Sequence, residues 1–317
     1  MISAHMLELI VAAALVYAAI GIGREFLHNK KAVLVGVLLA FVGVGIAMAV
    51  GYPLIGLFLG VLSVPYAVAA AANAAMSATD PVAVTILNIV MKGKMSHKAE
   101  QAGLIADVES LFNDAIALVA FVIAMGNAGL SHGGSEEAVL AVGEAIVIGL
   151  LAAVLMVMLK RAPIFRFAVI FLAIGWSANV HAAPLTMAVV CGFAVGLFLA
   201  ESKFDTWASY VGLFGVALYA LVVLFGLAGS LPVVAFWGGV YMIIFRILSR
   251  TLIIGLFIPQ WRAVAFSGFP AVGVITIAAV TFAELGLASM AAFMAGAALT
   301  SVFVLAPLSV WALKNAD

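Results

Sequence analysis

The chain has 317 residues, 67% of them hydrophobic and 9% charged, with zero net charge and a mean hydropathy of +1.31. A soluble domain carries roughly 25% charged residues because its surface faces water, so a soluble fold is excluded and an all-α polytopic membrane protein is expected. Zero net charge gives nucleic acid no attraction, and a single cysteine, Cys191 in "MAVVCGFAVG", cannot build a disulfide framework within one chain.

Eleven apolar segments follow in chain order, at about 6–22, 32–63, 65–92, 99–125, 137–159, 163–181, 183–200, 206–229, 233–257, 262–283 and 286–312. Most suit a hydrocarbon core of about 30 Å at 1.5 Å of helix rise per residue. Residues 1–23 hold no Lys or Arg to form a positive leader region, so a cleaved signal peptide is not expected. Segment 32–63 is long and contains Gly51 and Pro53; residues 53–63 alone are too short to cross, and one tilted or kinked span is expected. Lys or Arg stand in every second connection: Arg24, Lys30 and Lys31, then Lys92, Lys94 and Lys98, then Lys160 and Arg161, then Lys203, then Arg262. The intervening connections, such as "GNAGLSHGGSEE" and "GSLP", have none. This alternation supports eleven spans with the N-terminus outside and the C-terminus in the cytoplasm.

Segment 65–92 contains "SATDPVAVTILNIV", in which Asp80 and Pro81 read as a helix start, Asp as N-cap and Pro at the first helical position. A cap at the membrane surface has the same grammar. However, residues 81–91 make about 16 Å of helix, roughly half a bilayer, and residues 65–78 are similarly short. The segment therefore reads as a discontinuous helix with Thr79 and Asp80 at a break near mid-membrane. Irregular backbone at that depth survives where it lines a cavity or is buried in protein, and its carbonyls with a carboxylate make an oxygen-lined cation site.

Segment 99–125 carries Glu109, Asn113 and Asp114 in its middle, with Asp107 and Ser110 beside them. Glu109 and Asn113 are one turn apart, as are Ser110 and Asp114. Isolated ionisable groups at this depth are costly and normally face a water-filled cavity or a partner. The alternative is a polar knot that only fixes helix packing. Segment 233–257 supplies Arg246 about midway and Arg250 a turn later. A buried arginine stays protonated and needs a partner; Glu109 is the candidate for Arg246, Arg250 snorkels to the interface, and a swap of the two stays open.

Segment 262–283 is interrupted by Ser267, Gly268, Pro270 and Gly273. Segments two to four and nine to eleven thus form two triplets with the interrupted helix at the centre of each. Their odd offset inverts one relative to the other, the pattern expected of a secondary transporter.

These stretches resemble a known family. "SATDPVAV" with "ESLFNDAIALVAF", "IIFRILS" and "FAVGLFLAES" are similar to motifs of sodium–proton antiporters of the NhaP/NHE type, over about residues 15–312. The resemblance implies an inverted-repeat transporter fold of about eleven helices, two of them discontinuous, in one transmembrane domain over 1–317. An ion-binding core would take 32–125 and 233–312, and a scaffold and homodimer side 1–31 and 126–232. It implies that Asp80 and Asp114 alternately hold a cation or a proton, that Thr79 and Ser110 add oxygens from main chain or side chain, that Asn113 orients the site, and that Glu109 and Arg246 form a structural ion pair. The Asn-Asp order at 113–114 resembles the electroneutral branch. The family has about thirteen spans, so two N-terminal helices are expected to be missing, and Phe269–Pro270–Ala271 replaces the arginine often found after its Gly-Gly pair.

The expected function is exchange of a monovalent cation, Na⁺ foremost, for H⁺ across a cell membrane. Burial favours a protonated carboxyl and a bound cation an ionised one, so the two loads exclude each other. No cofactor or enzyme activity is expected: there is no ATP-binding pattern or metal-ligand cluster, and His5, His28, His97, His132 and His181 sit at span ends or in connections. An intramembrane aspartyl protease would need Tyr-Asp and Gly-x-Gly-Asp motifs, which "ATDP" and "FNDA" do not match. A channel or a non-transporting relative with the same fold is the alternative.

Overall fold

A computed structural model describes residues 3–79, 97–130, 135–160, 162–180, 183–199, 203–257 and 272–308. Among these the chain is all helical: α1 (Ala4–His28), α2 (Lys30–Gly56), the single turn α3 (Leu59–Leu62), α4 (Tyr66–Met76), α5 (His97–Asn127), α6 (Ser135–Met158), α7 (Pro163–Asn179), α8 (Pro184–Phe198), α9 (Lys203–Ser230), α10 (Pro232–Phe257), α11 (Val272–Glu284) and α12 (Ala288–Thr300). The last continues as a π turn over Ser301–Leu305. Setting α3 aside, each of the remaining eleven helices falls in one of the eleven expected segments.

Among the described residues, six helical stretches are long and apolar enough to cross a membrane: Ala4–His28, Lys30–Gly56, Leu104–Asn127, Glu136–Met158, Pro232–Ser249 and Ala288–Leu308. Their outward side chains are apolar, Val147, Val154 and Met158 on α6 among them, with Phe165, Leu172 and Trp176 on α7 equally exposed. Lipid requires such a surface, and the chain is an integral membrane protein. Prolines open α7 and α8, where a missing N–H costs nothing.

The expectation of one kinked span over 32–63 needs correction in its detail. Pro53 lies inside α2 without ending it. The chain turns instead at Leu57–Phe58, makes α3, and reverses at Ser63, whose φ of 54° is left-handed. Residues 65–76 then start a new helix from Pro65. A proline in a buried transmembrane helix is tolerated because neighbours satisfy the freed backbone, so it is a weak stop signal there.

Packing is closest where side chains vanish. α1 and α8 make the most extensive helix pair of the described residues, and a Cβ at Gly192 or Gly196 would collide with the carbonyl oxygen of Val16 or Ile20. This small-xxx-small seam lets two backbones touch. α6 covers the other side of α8. A second group is formed by α2, α4 and α5, with α10 lying against α2 and α12, and α11 against α12. α9 bridges the groups through α1, α11 and α12. At one end of α1 the Ala4 N–H donates to Glu284 Oε1 of α11 at 3.1 Å.

Candidate ion-binding site

The helix α4 is only eleven residues long and ends inside the protein. It is mostly alanine, and residues 71–76 are fully buried. Small side chains let α2 and α5 close on it. The sequence after Met76 stops propagating the helix: Ser77 Oγ turns back to donate to Ala74 O at 2.6 Å, and Ser77 N–H is shared between Asn73 O and Ala74 O. Short polar side chains offer the backbone this alternative to helix. Thr79 then makes an isolated β-type backbone bridge. The helix thus ends at Met76, four residues before Asp80 and close to where the break is expected; Asp80 itself and the second half of the segment lie outside the described residues, as does the interruption at 267–270.

A helix end buried in lipid must satisfy its last carbonyls and its negative dipole end. Arg246, midway along α10 and 3% exposed, does both. Its Nη2 donates to Met76 O at 3.0 Å and also to Ala78 O. The side chain of Arg250 is outside the described residues.

Against α4 packs α5, whose middle turns bury four of the five polar residues singled out in the sequence, Asp107 being only half-buried. Glu109 and Asp114 are each 2% exposed, Asn113 1% and Ser110 0%. Asn113 Nδ2 donates to Glu109 Oε1 at 3.0 Å, the one-turn pair expected from spacing, and Ser110 Oγ donates to Asp107 O at 3.0 Å. Thr79 Oγ1 and Asn113 Oδ1 are buried acceptors with no hydrogen-bond partner among the described residues. Buried oxygens normally have partners, and with the Ser110 hydroxyl and the Asp114 carboxylate these two make a set of oxygen donors. Its chemistry, hydroxyl, amide and carboxylate oxygen, is that of a hard cation site. The described residues include no group of three or more His, Cys, Asp or Glu placed to chelate a metal.

A cavity of about 800 Å³ leads toward this place. It lies between α5 and helices α1, α6 and α8, carries Glu8, Glu137 and Glu144, and reaches Ala115, the residue after Asp114. Among the described residues no Lys or Arg lines it.

One polar pair escaped the sequence reading. Asn73 of α4, 0% exposed, accepts a hydrogen bond from Tyr241 Oη of α10 at 2.6 Å. The signal is in "AAAANAAM": a lone amide in an alanine half-helix has to find a partner.

No protein-family profile matches the chain, and no curated protein sequence does either. Its structure, by contrast, is similar to the sodium proton antiporter MjNhaP1 from Methanocaldococcus jannaschii at pH 8, with a TM-score of 0.64 at 18% identity, covering 99% of this chain and 90% of that one. The chain has an NhaP-type antiporter fold.

Proposed function

We propose that this protein exchanges a monovalent cation for protons across a membrane, with Na⁺ as the expected cation and one ion of each kind per cycle. The observation that carries the reading is the burial of Asp114 at mid-helix, with Ser110 and Asn113 beside it, on the helix that packs against the short α4. The similarity in fold to a sodium proton antiporter supports it.

In this reading Asp114 and Asp80 take either a proton or the cation. Thr79 and Ser110 add oxygens, and Asn113, held by Glu109, orients the site. The carbonyls of Met76 and Ala78 face the Arg246 guanidinium. A cation beside them would meet a fixed positive charge, so ligands from this strand begin at Thr79. Glu109 is the proposed carboxylate partner of Arg246, holding charge balance without entering the cycle. The carboxylates of the cavity attract cations toward α5. An empty, doubly ionised site is too costly to carry across, so only a loaded site moves. The moving body is the group around α2, α4, α5, α10, α11 and α12, displaced against the remaining helices as in alternating access.

The test is flux in proteoliposomes. An imposed Na⁺ gradient should drive proton movement that persists when the membrane potential is clamped, and Asp114→Asn should reduce it to the rate of empty vesicles. A parent-like rate in Asp114→Asn removes that residue from the site. Proton flux with no cation dependence removes the exchange reading itself.

A further inference from the structure

The stub α4 is held by α10 at two heights. The lower hold is Arg246 on the carbonyls of Met76 and Ala78. The upper is Tyr241, five residues earlier on α10, bonded to Asn73. Asn73 is clasped from the other side as well: a Cβ on Gly51 of α2 would run into its side-chain amide. The Tyr241 ring cannot swing away, because Phe245 stacks on it at 5.4 Å with an interplanar angle of 11°, Phe58 meets it edge-on at 5.5 Å, and Phe293 lies at 5.4 Å.

A single hold at the C-terminal end fixes where the stub stops but leaves it free to turn about its own axis. A second hold one turn back removes that freedom, and with it the choice of direction in which the chain leaves through Ser77 and Thr79. Asn73 has no other evident use. Alanine is the better helix former, a buried amide is costly, and Asn73 Nδ2 has no hydrogen-bond partner among the described residues. We propose that the Asn73–Tyr241 hydrogen bond, wedged by Gly51, is a positioning station that sets the rotation of the interrupted helix and so the affinity of the site for its cation. The proposed role is one of positioning, not of binding: Asn73 lies about one turn inside the end of α4 at Met76, with Ser77 and Ala78 between that end and Thr79. The proposal rests on the exchange reading above.

Tyr241→Phe removes one oxygen and keeps the ring; Asn73→Ala removes the other partner. Each is compared with the parent in Na⁺-driven proton flux, with melting temperature in detergent measured in parallel. The half-saturating Na⁺ concentration should rise about three- to tenfold, the fold-change that one net hydrogen bond represents. The maximal rate should stay within about twofold, and the melting temperature should fall by no more than the loss of one buried hydrogen bond accounts for. The double variant should shift half-saturation no further than the larger single one, since both delete the same bond.

Parent-like half-saturation in either single variant overturns the proposal, as do shifts that add in the double variant. A lowered melting temperature with unchanged half-saturation assigns the bond to packing alone and overturns it too. If the parent exchanges no cation, the exchange reading falls and takes this one with it. If the parent exchanges normally, only the positioning role is at stake.

Discussion

Arg246 shows how one side chain can finish a helix. Each carbonyl it serves would otherwise be a buried acceptor without water, at about 1–3 kcal/mol apiece. Arg246→Ala is therefore expected to lower the melting temperature and yield of detergent-solubilised protein, with Arg246→Lys in between, because an ammonium keeps the charge and N–H donors but not the reach and remaining donors of the guanidinium that serves Met76 O and Ala78 O. Parent-like stability with lost exchange would instead move Arg246 into the ion cycle. At this scale the sequence was informative where charge meets lipid. Glu109, Ser110, Asn113 and Asp114 stand out because ionisable groups are rare at mid-span, and all four are buried on α5. The sequence suggests a carboxylate partner for Arg246; its further hold on α4 was not legible, because those contacts are to main-chain oxygens, which are the same in every residue. Asn73 and Tyr241 were missed for a related reason, their bond depending on how α10 crosses α4.

At the scale of elements, hydropathy alone located the eleven principal helices, because each must bury or expose a continuous apolar stretch. It did not find the separate turn α3, since 32–63 reads as one tilted or kinked span containing Gly51 and Pro53, and the left-handed position at Ser63 is not a glycine. Nor did it pick out the α1–α8 seam: Gly192 and Gly196 are ordinary in composition and acquire meaning only against Val16 and Ile20. Gly196→Leu is expected to force the two backbones apart and cost about 1–3 kcal/mol or more, read as a lower melting temperature in detergent. The same substitution at Gly215, where a Cβ would meet nothing within 4 Å, is the control that should stay near the parent.

For the whole molecule, the two triplets read from the sequence correspond to helices that pack together in the structure, α2 with α4 and α5, and α10 with α12 and α2. That arrangement has a consequence for biogenesis. An eleven-residue stub cannot partition into a bilayer as a span of its own, since about 20 residues are needed. The partner that holds it, Tyr241, is made 168 residues after Asn73, a wait on the order of ten seconds at ribosomal speed. Until α10 arrives, the early half of the chain has a polar amide and open carbonyls with no tenant. A polypeptide stopped after Ser230 should therefore leave this region exposed to water: a cysteine placed at Ala74, 0% exposed in the full protein, should react with a membrane-impermeant maleimide in the truncated chain and stay protected in the whole one. Equal protection in both would mean that the nascent amino-terminal half shelters the stub unaided.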